Sequence, residues 1–214
     1  MQHDKKRAPR KAGAGPASDP AQGILDIAER LVQTRGYNGF SYADIAAELG
    51  VTKASLHYHF ASKAELGQAL IGRYHVAFDR ALLDIQQTVN EPALRLRRYV
   101  ALYDAVTSNE RMCLCGMLAA EYATLPSTMQ KQLNAFFDAN EKWLTAVLDG
   151  GRRDACFSFE ESPNERARVL LGALEGAMLV ARSYREPKRF RAAADHVLHD
   201  LDKIERCAAG ATTA

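Results

Sequence analysis

Phe40-Ser41-Tyr42-Ala43-Asp44-Ile45-Ala46-Ala47-Glu48-Leu49-Gly50-Val51-Thr52-Lys53-Ala54-Ser55-Leu56-His57-Tyr58-His59-Phe60 is the stretch that decides the fold, because it spells two short helices around a glycine. Ser41 stands where an N-cap belongs and Asp44 falls in the first turn, near the positive end of the helix. Ile45, Ala46 and Leu49 recur at helical spacing toward a small core. Gly50 follows the last of them and tolerates the left-handed conformation of a tight turn. Val51 can pack inward, and Thr52 can cap a second helix over Lys53 to His59. This is the helix-turn-helix plan, in which the second helix enters the major groove of DNA.

The second helix has the composition that task requires. Thr52, Lys53, Ser55, His57, Tyr58 and His59 offer hydroxyl, ammonium, imidazole and phenol groups, while Leu56 and Phe60 hold the helix to its core. Hydroxyls, Lys and Tyr bind phosphate oxygens and fix register, whereas side chains that reach base edges discriminate sequence. Ser41 and Tyr42, at the start of the preceding helix, join the candidate DNA-binding set. The bland alternative is a solvated polar helix in a three-helix core.

Gly36-Tyr37-Asn38-Gly39-Phe40-Ser41, then Asp44-Ile45-Ala46, Gly50-Val51-Thr52-Lys53 and Tyr58-His59-Phe60-Ala61-Ser62-Lys63-Ala64-Glu65-Leu66 together resemble the N-terminal domain of the TetR family of transcriptional regulators. The resemblance spans roughly residues 20 to 70. It implies an all-α homodimer: an N-terminal three-helix DNA-binding domain plus a C-terminal helical domain for ligand sensing and dimerisation. It also implies phosphate contacts for Tyr58 and Lys63.

A chain of 214 residues, 47% hydrophobic, has room for one small reader domain and one larger helical domain with a sizeable core. The net charge of +2 leaves affinity for nucleic acid to local patches rather than to a global field. One such patch is residues 1–18, where Lys5, Lys6, Arg7, Arg10 and Lys11 stand among Ala, Gly, Pro and Ser. It reads as a flexible basic arm that follows the DNA backbone or a groove, or as a solubilising tail. Residues 19–66 read as the DNA-binding domain, 67–207 as the sensor and dimerisation domain, and 208–214 as a disordered tail. No apolar secretory segment or membrane-spanning run stands out, so the expected location is cytoplasmic, and four cysteines do not describe a disulfide framework.

Cap signals place the remaining helices. Asp19-Pro20 opens the first, which runs to Gly36, and Ser62-Lys63-Ala64-Glu65 is a capping box opening a long helix to Val89. Further helices run from Glu91-Pro92 to about Ser108, from Cys113 to Thr124, from Pro126 to a stop at Gly150-Gly151, from Ser162-Pro163 to about Arg185, and from Pro187 toward Cys207. The segment Val169 to Ala181 is apolar around most of its circumference. Gly172, Gly176, Ala177 and Val180 mark its candidate dimer face, the alternative being a helix buried within one chain.

The second half is rich in aromatic rings and sulfur. Tyr74, Phe78, Tyr103, Met117 and Trp143 are the candidate lining of a small-molecule pocket between helices, against the plainer reading of core packing. Met112-Cys113-Leu114-Cys115-Gly116-Met117-Leu118-Ala119-Ala120-Glu121-Tyr122-Ala123-Thr124-Leu125-Pro126-Ser127-Thr128-Met129 resembles the Cys-Leu-x-x-x-Leu-x-x-Glu-x-x-x-Leu-x-x-x-Met signature of the electrophile-responsive, NemR-like branch of the same family, in which the first cysteine is the sensing thiol. Cys113 would then sit at a helix start, where unpaired amides stabilise a thiolate and lower its pKa, with Cys115 nearby. The electrophile-responsive relatives carry a lysine where this chain has Arg182, which removes amine chemistry but can still stabilise a thiolate.

Residues two apart on a helix diverge by about 200°, so Cys113 and Cys115 do not clamp one metal. His196 and His199 read as part of a polar face rather than a metal site, and no cofactor is implied. Nor is there a nucleophile–base arrangement or phosphate loop of an enzyme. The expected function is a repressor that leaves its double-stranded operator when a small molecule binds or an electrophile modifies a cysteine. The alternatives are a regulator with a reversible aromatic or apolar ligand and no thiol chemistry, or an activator.

Overall fold

Local capping sets the helix boundaries before any packing does. The computed structural model describes residues 19–201, and among the described residues there are nine α-helices and no strand. Asp19 accepts the Ala21 N–H at 3.1 Å and opens α1 (Pro20–Arg35), with Pro20 at the first helical position where its missing N–H costs nothing. Ser41 and Asp44 form a reciprocal capping box on α2 (Tyr42–Leu49): Ser41 Oγ accepts the Ala43 N–H at 3.2 Å, and Asp44 accepts the Ser41 N–H at 2.7 Å. The Ser41 hydroxyl and the Ser41 N–H, both donating to Asp44, hold its carboxyl below its ordinary pKa. Gly50 ends α2 in the left-handed conformation (φ 68°), and Thr52 accepts the Ser55 N–H to start α3 (Lys53–His59).

Ser62 caps α4 (Lys63–Thr88) through the Glu65 N–H, but Glu65 returns its bond to the Ala61 N–H at 2.9 Å rather than to the cap residue. The chain continues through α5 (Pro92–Thr107), α6 (Leu114–Ala120), a 3₁₀ turn (Tyr122–Thr124), α7 (Ser127–Arg153), α8 (Pro163–Tyr184) and α9 (Pro187–His199). Ser162 and Glu165 make a complete capping box on α8.

Two boundaries differ from expectation. The glycine pair 150–151 does not stop α7, which runs to Arg153. Gly151 instead permits close packing, since a Cβ there would collide with the Phe157 ring, and its carbonyl accepts the Cys156 and Phe157 N–H groups at 2.8 and 3.1 Å. The helix expected over Cys113 to Thr124 is broken at Glu121 (φ −109°, ψ 16°) into α6 and the 3₁₀ turn. The basic arm, the extension of the last helix toward Cys207 and the tail 208–214 lie outside the described residues.

Apart from Ile85 and Val89, the buried apolar side chains of the described residues form one continuous cluster running from Ile24 in α1 to Leu201 beyond α9. α1 packs on α2, α4 and α6; α8 packs on α7 and α9; α4 packs on α7, and α5 spans α7, α8 and α9. Arg73 ties α4 to α1 through Asp26 at 2.7 Å and Glu29 at 2.6 Å. The reader is thereby fastened to the larger bundle by a long shared helix. None of the described helices is long and apolar enough to cross a membrane. Cys113 and Cys115 are free thiols.

Candidate functional site

The exposed side of α3 is built by a single anchor. Leu56 is the buried residue of that helix, and Thr52, Lys53, Ser55, His57 and Tyr58 are all exposed around it, with His59 half-buried. Tyr58 is 87% exposed, an unusual placement for a large ring, and stacks edge-on against His59 at 5.3 Å. His57 Nδ1 lies 3.1 Å from the Ala61 carbonyl, which can only accept, so Nδ1 is the donor of that pair.

Three of the candidate DNA contacts have internal partners instead. Tyr42 is a correction: it is buried, its hydroxyl donates to the Phe60 carbonyl at 2.9 Å, and burial pushes its pKa up to about 12. It pins the end of α3 to α2 and carries the His57 ring at 4.7 Å. Ser41 spends its hydroxyl on the cap, donating to Asp44 at 2.7 Å. The Lys63 ammonium donates to the Phe40 carbonyl and lies over the rings of Tyr37 (4.7 Å) and Phe40 (4.3 Å), where burial lowers its pKa. It is folded under the α1–α2 loop, apart from the exposed row of α3.

The sensing candidates meet at the centre of the bundle. Phe78 packs edge-on against Tyr99, Tyr103 and Phe136 at 6.1, 5.9 and 5.3 Å, and Tyr74 lies 5.6 Å from Phe136. Trp143 stacks on Tyr99 at 5.5 Å. Tyr99 donates to Asn140 Oδ1 and shares a 3.0 Å bond with the Tyr103 hydroxyl. Cys113 is the N-cap residue of α6, as expected, with its thiol 3.6 Å from the Tyr74 hydroxyl.

The expected low-pKa thiol is not what this environment makes. Burial pushes the Cys113 thiol well above its ordinary pKa and the neighbouring Glu175 carboxylate pushes it further, overriding the helping Gly116 N–H. Cys115 is raised for the same two reasons. Arg182 does not stand guard over the thiol: its guanidinium donates to Met117 Sδ at 2.8 Å and to the Thr34 carbonyl. The amides of a one-sided seven-residue helix cannot offset complete removal from water.

A link from this core to the reader was not foreseen. Glu121, immediately after α6, accepts the backbone N–H groups of Tyr37 (2.6 Å) and Asn38 (3.2 Å) in the α1–α2 loop, and Asn38 donates to Thr124 at 2.8 Å. Gly36 makes room for it: φ is 84°, and a Cβ there would lie 2.8 Å from Glu121 Oε1. The Met112 N–H bonds the Gln33 carbonyl at 3.2 Å, and Arg182 reaches Thr34. Both ends of α6 thus grip the C-terminal end of α1. Glu121 was visible only as one member of the Cys-Leu signature, with no signal of its partner some eighty positions away.

Along α8 an outer stripe is largely open to solvent, although Ala177 within it still packs on the core. Val169, Leu179 and Val180 are 55%, 46% and 52% exposed, Gly172 is exposed, and Gly176 and Ala177 are half-buried between them. A Cβ at Gly172 or Gly176 would meet nothing within 4 Å. The inner side of the same helix carries Leu170, Leu171, Leu174 and Met178 into the core, together with Glu175.

Comparison with known proteins places this geometry. Residues 24–70 match the family model described as bacterial regulatory proteins, tetR family. The chain is 27% identical over 186 residues to the HTH-type transcriptional repressor NemR of Escherichia coli, covering 84% of this chain and 92% of that one. A TetR family transcriptional regulator from Agrobacterium tumefaciens superposes with a TM-score of 0.82 at 31% identity, over 85% of this chain and 96% of the other. A TetR regulator from Legionella pneumophila gives a TM-score of 0.79 at 30% identity, over 88% and 100%. With its exposed recognition helix, its α4 connector and these likenesses over nearly the full length of each relative, the chain belongs to the TetR family of transcriptional regulators.

Proposed function

We propose that the chain is a homodimeric repressor whose two readers bind one operator duplex and are released when a small molecule enters the sensor core. The observation that supports this reading is the grip of the two flanks of α6 on α1 and the loop after it: Glu121 on Tyr37 and Asn38, and the Met112 N–H on the Gln33 carbonyl. Any ligand that displaces α6 from the bundle shifts the reader directly, without needing to bend α4 first. Two readers must fit grooves about 34–36 Å apart, so a small pivot costs specific affinity without unfolding. Thr52, Lys53, Ser55, His57, Tyr58 and His59 serve as the DNA surface, Lys63 and Tyr42 as its internal supports, and the arm 1–18 as an added phosphate contact. The stripe Gly172, Gly176, Ala177, Val180 serves as the two-fold contact.

The raised Cys113 and Cys115 pKa values favour reversible binding over thiolate chemistry in the resting conformation. The test is fluorescence anisotropy on a duplex selected from a random pool. Tyr58→Ala and Lys53→Ala proteins are expected to bind it at least tenfold more weakly while remaining dimeric. Undiminished binding by both would move the DNA surface off α3.

A further inference from the structure

Glu175 is the anomaly of the sensor core. Residue 175 as a whole is half-buried, yet both carboxylate oxygens are shut off from solvent and neither has a well-formed hydrogen bond. The adjoining proton donor is the Cys113 thiol, a weak one. The carboxylate presses on α6 at Gly116, where a Cβ would collide with its Oε2. An uncompensated carboxylate is costly in an apolar interior, and among the described residues no cation pairs with it.

One thiol away from Glu175 begins a network of rings. The Cys113 sulfur beside the carboxylate lies 3.6 Å from the Tyr74 hydroxyl, the Tyr74 ring lies 6.2 Å from Phe78, Phe78 packs on Tyr99 and Tyr103, and Trp143 stacks on Tyr99. Trp143 Nε1 is another buried group without a partner. Ring faces carry negative potential, so a ring network adjoining a lone carboxylate is repulsive to anions and attractive to a cation with apolar bulk.

We propose that the sensor core binds an organic monocation, an aryl- or alkylammonium, with its charge against the Glu175 carboxylate and its apolar body among Tyr74, Phe78, Tyr103 and Trp143. This rests on the small-molecule reading above and names its ligand class. Placing the ammonium beside Glu175 draws the carboxylate off Gly116, which loosens the α6 seat and, through Glu121, the reader.

Trp143 is the chain's single tryptophan, so its emission reports the site directly. The full-length protein is titrated with tetramethylammonium, benzyltrimethylammonium and tetraphenylphosphonium, and with neutral benzyl alcohol. At least one cation is expected to give a saturable Trp143 response that Glu175→Gln weakens tenfold or more, with the response to benzyl alcohol unchanged. A variant-free measurement is calorimetry of the same cation at pH 6.5 in two buffers of different ionisation enthalpy. Binding is expected to release protons, since Glu175 is part-protonated there while the buried Tyr and Cys groups are not in their titration range. His75, which faces Phe136 and pairs with Asp79, is controlled by repeating the calorimetry in Glu175→Gln. Equal cation affinity in wild type and Glu175→Gln, or no saturable binding of any of the three cations, overturns the proposal while leaving the repressor reading standing. Glu175-dependent binding that leaves the selected duplex bound overturns the signalling reading and keeps the site.

Discussion

The Glu121 carboxylate accepts the Tyr37 backbone N–H at 2.6 Å, joining the end of α6 to the α1–α2 loop of the reader. Hydrogen bonds to charged groups contribute about 1.5–3 kcal/mol each. Glu121→Ala is therefore expected to lower stability by about 2 kcal/mol and to uncouple the two halves. In operator-release assays the variant should keep at least half of the DNA-bound fraction at ligand concentrations that empty the wild type. Full release by Glu121→Ala would put the coupling on α4 instead.

Glu175 makes stability depend on pH in an unusual direction. Its folded pKa is raised from 4.5 to about 7, so between those values the unfolded chain loses the proton first and stability falls as pH rises. The full loss, about 3 kcal/mol, is in place above pH 7. Glu175→Gln is expected to melt with the wild type near pH 4.5 and clearly above it at pH 8. Equal melting temperatures at pH 8 would mean that the carboxylate is not shut off from water.

Tyr42 and Tyr58 separate support from contact. Tyr42→Phe removes a buried bond to the Phe60 carbonyl and should cost about 1 kcal/mol of stability with sequence preference intact. Tyr58→Phe should leave stability within about 0.5 kcal/mol, because that ring is almost wholly exposed, and should weaken DNA binding across all sequences. Chemical denaturation and a salt titration of binding check the pair; the reverse assignment of losses would contradict it.

Cys113 should alkylate slowly. With its thiol pKa pushed up and its side chain buried, iodoacetamide at pH 7.5 is expected to label it no faster than unfolding exposes it. Peptide mapping over time follows this, and Cys113→Ser should retain ligand-induced release. Rapid labelling of Cys113 in the folded protein, with release lost in Cys113→Ser, would restore the electrophile reading.

Gly176→Glu and Val180→Glu probe the two-fold face. Neither site is packed within the chain, so both variants should fold, by circular dichroism, yet sediment as monomers at low micromolar concentration. Folded dimers would place the interface elsewhere.

The reader was legible because its signals are local: Ser41 and Asp44 cap within three residues, Gly50 turns in place, and Leu56 anchors one face. Tyr42 was misread since an aromatic at a helix start does not announce that the Phe60 carbonyl will take its hydroxyl. Cys113 was correctly put at the start of α6, but its pKa is set by burial and by Glu175, sixty-two positions away, which no helix-terminus argument contains. Glu175 itself was in plain view, one carboxylate within the apolar run Val169 to Ala181. The small residues around it drew the reading to the outer face of α8, while its side chain turned inward.

The central claim, two α3 helices reading one duplex, is tested most directly by selecting bound duplexes from a random pool and counting chains per duplex by sedimentation. The account predicts an enriched inverted repeat with half-site centres about one helical turn apart, or a multiple of it, holding two chains or a multiple of two, and no enrichment with Tyr58→Ala. Failure to enrich any sequence with the wild type, or a single chain on an asymmetric site, would contradict it.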